Sequence, residues 1–464
     1  MKWLTLILAI ITLISTSGCG GKQPIVFRDT DTSSCKKEYT ELSYDKIGDS
    51  YQENQEIWSE INERYRGVKN RKLLVFMDGT GNDKTDSSNI RVLYRLALAQ
   101  SCTGKPIIPY YDKGVGAKFF DSVLGGATGE GASLNIRQAY RFLVNTYDPG
   151  DEIYIFGFSR GAFTARSLNG FIEFAGILNK NSIKEVWTDN LPDWFGVSTV
   201  HYVIKDIFDE YRVKNDGTDN FDDKVRIRIE KYKKENFPDL VFERAVVKAI
   251  GVFDTVPALG LGTNDEPDNH RLDLYASNGF HALSLDEQRD KFRLLRFDDV
   301  KLKPGQKLRE VWFPGVHGNI GGGYSKTIGC DTISNNSENY YNGLEAIPLN
   351  WMIEQLREEN LFRIDGQFPE CVDGILHDEY FESSLLYKNM GTFRRKPSRC
   401  DVVHESVVLR IGLDKLFKAN KNREIGCKYS PSNLQHPVQQ YYQVEPAHQK
   451  IAGEKAKVLE PIKK

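Results

Sequence analysis

The residues with the clearest chemical potential are Ser159, Asp254 and His317, which lie far apart in the chain and each just after an apolar run. Ser159 is the centre of Gly157-Phe158-Ser159-Arg160-Gly161, which follows the β-rich run Ile153 to Phe156 and precedes the helix-forming segment Ala162 to Leu168. A serine between strand and helix sits on a sharp, strained turn, and glycines on either side lack the Cβ that would collide with either element. Its hydroxyl is pushed out above the sheet. The N–H of Arg160 then opens a helix, where orphan amides and the dipole favour developing negative charge, which makes it half of an oxyanion hole. Asp254 ends Ala245 to Phe253 (AVVKAIGVF), and His317 follows Leu308 to Phe313 (LREVWF) at the head of a glycine-rich turn. In such a trio the imidazole takes the serine proton as general base and returns it to the leaving group. The carboxylate meanwhile fixes the tautomer and stabilises the imidazolium. Asp286 is the weaker rival for the carboxylate, and His281, in HALSLDEQR and off any strand end, reads as structural or as a support behind the reacting groups.

Several elements must position these groups. Lys72 to Met77 (KLLVFM) is a continuous apolar run of the kind a parallel sheet covered on both faces requires. It ends in Asp78-Gly79-Thr80-Gly81-Asn82, where the N–H groups of Gly79 and Thr80 are candidates for the second oxyanion donor beside Arg160. A plain capping turn is the alternative. Ile90 to Ala99 has helical periodicity, Pro106 to Tyr111 reads as an edge-like strand interrupted by proline, and Ala132 to Tyr147 reads as a helix. The glycine-rich stretch Gly114 to Gly131 lacks the Lys-Ser/Thr ending of a phosphate-binding loop, and its Phe119, Phe120, Val123 and Leu124 pack the loop down or line an acyl site. Alternating strands and helices specify an α/β fold: a mostly parallel sheet with helices on both faces. Asp254 and His317 both stand past the carboxyl end of a strand, the edge where open α/β sheets bind ligands. The chain order Ser, Asp, His is that of α/β hydrolases.

The pattern divides the chain into a hydrolase domain over 69–360 and a C-terminal extension, 361–464, packed on it. Within the domain, about 180–242 carries Trp187, Trp194, Phe195 and the cationic run Lys224 to Lys234. That stretch is too long for a bare loop and reads as a helical insertion capping the site. Its basic face is solvated or touches anionic lipid headgroups.

With 62 basic and 64 acidic residues among 464, the chain has no basic excess for nucleic acid to exploit. Lys2, the apolar run Trp3 to Ile14 and the small residues Ser15 to Gly18 before Cys19 form a secretory signal whose apolar run is too short to span a bilayer. The Ser-Gly-Cys-Gly ending resembles a bacterial lipoprotein signal, although Thr16 stands where leucine is usual. The expectation is a signal peptide over 1–18 and a lipidated Cys19 heading a tether and helical lead-in over 19–68. Gly20 resembles the outer-membrane sorting pattern, which implies the periplasmic face of the outer membrane. Six further cysteines, Cys35, Cys102, Cys330, Cys371, Cys400 and Cys427, allow disulfides concentrated in the C-terminal region or separate buried thiols, and no group of them has zinc spacing.

Seven segments in fixed order carry a resemblance: FMDGTGN at 76–82, YYDKGVGA at 110–117, LGGATGEG with NIRQAYRFL, YIFGFSRGAFTARSL, GVFDTVPALG, HALSLDEQRDKF and VWFPGVHGNIGGGY. Over about 71–360 the chain resembles the DUF2235 group of α/β hydrolases, which includes the type VI secretion phospholipase effectors of the Tle1 type. The resemblance implies triad roles for Ser159, Asp254 and His317, an oxyanion or structural role for the Asp78 loop, and lipid ester hydrolysis without a required cofactor. Two features depart from the group: Gly318-Asn319-Ile320 follows the histidine where Ser-Asp-Val is frequent, and an export signal precedes the domain. The expected activity is a serine ester hydrolase acting on phospholipid or related acyl esters through an acyl-enzyme, held at the membrane by Cys19. A non-catalytic envelope lipoprotein binding a protein partner on the same fold, and a thioesterase or peptidase using the same triad, are the alternatives.

Overall fold

The computed structural model describes residues 51–79, 88–114, 130–183, 199–257, 271–297, 302–323, 343–362 and most of 368–446, apart from short internal stretches. The expected signal peptide, Cys19, Thr80 and Phe119 to Leu124 lie outside these residues.

Eight strands form one sheet: β1 (Lys72–Met77), β2 (Ile107–Asp112), β3 (Glu152–Phe158), β4 (Val247–Phe253), β5 (Asn278–Ser284), β6 (Lys307–Phe313), β7 (Val402–His404) and β8 (Gln443–Glu445). Their spatial order is 8-7-6-5-4-3-1-2, and each neighbouring pair is parallel. The order reverses between β1 and β3, so the loops leaving these two strands diverge and open a crevice at the carboxyl edge. The central strands β1, β3 and β4 are buried on both faces, as their continuous apolar runs require. The register aligns Phe76, Phe156, Gly251 and Phe280 in one row. Tyr94 of helix α2 (Asn89–Cys102) packs on Phe76, and Trp351 of α8 (Ala346–Gln355) packs on Phe280. On the opposite face, Tyr110 stacks on Phe142 of α3 (Glu130–Thr146), beside α4 (Arg160–Ala175).

One end of the sheet is covered and the other is extended. Strand β2 tolerates Pro109 because it is the edge. Asn54 of α1 (Tyr51–Arg64) covers that edge by exchanging hydrogen bonds with the Tyr111 backbone, as a neighbouring strand would. At the other edge, β7 and β8 come from the C-terminal region, so the segment expected merely to pack on the domain extends its sheet. Buried Arg71 ties β1 to β3 at the end away from the crevice, with its guanidinium on Asp151 at 2.6 Å and on the Thr146 carbonyl.

The insertion is helical, as expected, with α5 (Thr199–Tyr211) and α6 (Phe221–Asn236) in the described part. Its anchors on α4 run from the middle of that helix to its far end. Tyr211 Oη donates to the Ser167 carbonyl, Arg226 to that of Glu173 and Lys233 to that of Ala175. Helix α6 therefore sits at the end of α4 remote from Ser159, while α5 reaches its middle. Cys102 is disulfide-bonded, and every other cysteine lies outside the described residues.

Candidate active site

Ser159 joins β3 to α4 with φ 60° and ψ −125°, a left-handed conformation worth about 1–3 kcal/mol of strain for a residue with a Cβ. Close packing holds the turn in place. A Cβ on Gly157 would stand 2.6 Å from the Gly161 carbonyl oxygen, and one on Gly161 would press on the carbonyl oxygens of Met77 and Asp78. The neighbouring strand fixes it as well, because Ser159 N–H donates to the Phe253 carbonyl at 3.0 Å. Asp254, the next residue along that strand, is itself at φ 45°. His317 opens the short helix α7 (His317–Gly321) directly after β6.

These turns bring the three expected residues together at the crevice edge. His317 Nε2 is 2.7 Å from Ser159 Oγ, and His317 Nδ1 is 2.5 Å from Asp254 Oδ2. The carboxylate partner assigns the proton to Nδ1, leaving Nε2 to accept from the serine hydroxyl. Asp254 is fully buried, whereas Ser159 and His317 each keep 5% exposure, so the reacting end alone meets the crevice. The imidazole is held between the Phe158 and Phe292 rings, with centroids 4.7 and 5.0 Å away. Its backbone N–H donates to Glu287 Oε2 at 3.3 Å.

Asp254 accepts more than the imidazole. Its Oδ1 takes the Ser284 N–H at 2.9 Å, and Arg395 donates to both oxygens, Nη1 to Oδ1 at 2.5 Å and Nη2 to Oδ2 at 3.1 Å. Burial alone would raise this carboxyl, but the Arg395 charge and the bond to His317 outweigh it and hold the group well below the usual carboxylate range. The carboxylate stays ionised. Arg395 has no counterpart in the sequence reading, because nothing distinguishes it from its neighbours in Phe393-Arg394-Arg395-Lys396.

The other expected residues fall into place around this centre. Asp286 is not oriented toward His317; its Oδ2 accepts from the Gly315 N–H at 2.7 Å and the Tyr429 hydroxyl at 2.8 Å, bracing the turn that delivers the histidine. His281 lies inside β5, not off a strand end. It is buried between Thr255 and Glu310, a structural role as expected. Asp78 accepts from the Ser88 and Tyr111 hydroxyls and, at 2.7 Å, from Gly79 N–H, while burial raises its carboxyl above the ordinary value against those bonds. Gly79 lies against Ser159, but its N–H is committed within its own loop. Asn319, in the departing Gly-Asn-Ile sequence, is buried and accepts from the Val316 N–H at 3.3 Å, capping its own turn. Its amide also donates to the Ile375 carbonyl.

A family model described as the type VI secretion system phospholipase effector Tle1-like catalytic domain matches residues 71–355. The chain belongs to this family. Ser159, Asp254 and His317 fall within the Tle1-like match, and Arg395 falls outside it. A curated relative is the uncharacterized protein YEL023C of Saccharomyces cerevisiae, 27% identical over 264 residues, which are 53% of this chain and 35% of that protein. The chain thus spans about a third of the length of that relative. Among solved structures, an uncharacterized protein from Pseudomonas aeruginosa aligns at 16% identity and TM-score 0.34, over 69% of this chain and 50% of that one. The Tle1 effector bound to the VgrG spike of the type VI secretion system aligns at 17% identity and TM-score 0.29, over 63% and 61%. Esterase 2 of Thermogutta terrifontis aligns at 12% identity and TM-score 0.29, over 63% and 85%.

Proposed function

We propose that the chain is a serine ester hydrolase acting on phospholipid or related acyl esters through an acyl-enzyme. The observation that carries this reading is the continuous hydrogen-bonded chain from Ser159 Oγ through His317 to Asp254, at the crevice where the sheet order reverses. Membership of the Tle1-like phospholipase family supports a lipolytic hydrolase.

In this mechanism Ser159 Oγ attacks the ester carbonyl carbon as its proton passes to His317 Nε2, and Asp254 stays ionised to stabilise the imidazolium. The tetrahedral oxyanion accepts from the Arg160 N–H at the start of α4. The second donor is assigned to the Gly79–Thr80 turn. Gly79 N–H is held by Asp78, and Thr80 lies outside the described residues. The C–O bond then breaks, His317 protonates the leaving alcohol, and Ser159 carries the acyl group. Water, deprotonated by the same imidazole, releases the fatty acid and restores the serine.

The lipidated Cys19 expected from the sequence would hold this site against a membrane, the protein then residing in the cell envelope. The decisive experiment incubates purified protein with mixed phospholipid bilayers and identifies released lipids by mass, beside labelling with a fluorophosphonate probe. Release and labelling should both vanish in Ser159→Ala. Hydrolysis that survives that substitution refutes the mechanism, and a protein that neither labels nor hydrolyses is the non-catalytic alternative.

A further inference from the structure

Arg395 lies 40 residues beyond the end of the family match at 355, yet the residue is only 3% exposed and its guanidinium sits on the Asp254 carboxylate. It makes four bonds there. Two go to the Asp254 oxygens and two to backbone carbonyls, Ser284 at 3.0 Å and Phe292 at 2.7 Å. Those carbonyls belong to the end of β5 and to the segment carrying the ring that packs on His317. The guanidinium therefore ties the carboxylate to the backbone on both sides of the imidazole that must meet it.

The segment bearing it is attached at several points. Phe393 N–H donates to the Gln288 carbonyl at 2.7 Å, Thr392 bridges to Arg289, and Asn433 Nδ2 donates to the Arg395 carbonyl at 3.1 Å and to that of Leu285 at 2.7 Å. Residues 391–395 form a strap along 285–292, pinned from outside by Asn433.

Resting on the serine hydrolase reading above, we infer that Arg395 is a positioning residue. The C-terminal strap completes the active site by clamping Asp254 in the orientation that His317 requires. The charged groups around the carboxylate fix the sign of the consequence. His317 and Arg395 touch it directly, Glu287 neutralises Arg289 in the turn after β5, and Glu310 lies against His281 on β5. Among the described residues, Arg395 is thus the one full positive charge bonded to Asp254 before the reaction begins. Without it, the carboxylate keeps only the imidazole and the uncharged Ser284 N–H, and protonation of the general base becomes easier.

The test measures kcat and KM for a short acyl ester across pH in the full chain, for wild type, Ser159→Ala, Arg395→Gln, Arg395→Lys and Asn433→Ala, with thermal melts alongside. Arg395→Gln should lower kcat about 10- to 100-fold, the range for losing hydrogen bonds to a charged group, with KM little changed. The acid limb of the profile should move to higher pH by about one unit or more. Arg395→Lys should restore part of kcat and most of the limb. Asn433→Ala, which loosens the strap without touching the carboxylate, should move the limb in the same direction and serves if Arg395→Gln does not fold. Wild-type kcat and an unmoved acid limb in the folded variants would overturn the inference. Absence of any Ser159-dependent turnover in wild type would instead overturn the hydrolase reading, and this inference with it.

Discussion

Replacing Asp254 with asparagine keeps the shape of the side chain and removes its charge, so it isolates what the carboxylate contributes. Four donors converge on its two oxygens in the structure: His317 Nδ1–H, two Arg395 N–H groups and the Ser284 N–H. An amide offers one oxygen, and its NH2 must face donors whichever way it turns. With the amide oxygen toward Arg395 and Ser284, the NH2 faces His317 and favours the tautomer with its proton on Nε2, which cannot accept from Ser159. Loss of the correct tautomer in a triad costs about 10³- to 10⁴-fold in rate, or about 4 to 5 kcal/mol of barrier. The same change strands a buried guanidinium, which costs about 3–5 kcal/mol of stability. Asp254 is held below the usual carboxylate range in the fold. Its stabilising contribution is therefore complete above the unfolded value near pH 4 and is lost as pH falls through the lower folded value. Asp254→Asn should accordingly be less stable than wild type at pH 7, with the difference shrinking at strongly acidic pH. Ester hydrolysis, fluorophosphonate labelling and denaturant melts measure these effects. A folded Asp254→Asn protein retaining more than a tenth of wild-type kcat/KM would refute the reasoning.

Gly161→Ala should abolish labelling of Ser159 and lower the melting temperature, because its Cβ meets the backbone of β1, which cannot move aside as a flexible side chain would. Arg71→Ala, at the opposite end of β1, should cost about 3–5 kcal/mol by leaving Asp151 buried without its partner. The protein that remains folded should keep wild-type kcat, so a selective loss of kcat would contradict the division between the two ends of the sheet. Burial lifts the Asp112 carboxyl to about 6, which makes its ionised form unfavourable in the fold. Asp112→Asn, whose amide oxygen can still accept from Gly114 and Asn135, should raise the melting temperature at pH 8. The gain should fade toward pH 4, where wild-type Asp112 is neutral.

The central strands were legible because burial on both faces writes them as unbroken apolar runs. KLLVFM matches β1 residue for residue, and the runs before Ser159, Asp254 and His317 lie within β3, β4 and β6 or overrun them by two residues. That Ser159, Asp254 and His317 come together could be read for the same reason, since each stands within a few residues of the end of such a run. Strand β5 was missed because Asn-Gly-Phe-His-Ala-Leu-Ser interrupts its apolar pattern with a buried histidine that only Thr255 and Glu310 make tolerable. β7 and β8 are three residues each, too short to show a period. Arg395 was illegible for a different reason. Its role depends on a fold-back that local sequence does not encode, and among several arginines and lysines the buried one looks like the solvated ones.

The outermost strands β7 and β8 bear on the timing of folding as well as on shape. β7 pairs with β6 across nearly ninety residues of chain, and β8 cannot pair until residue 445 exists. Such distant pairings make closure of the sheet a late and slow event in the life of the polypeptide. A fragment still emerging from the ribosome, or cut short before its final strand, would carry Ser159 and His317 on an open-edged sheet. Only the finished molecule has the whole framework in place.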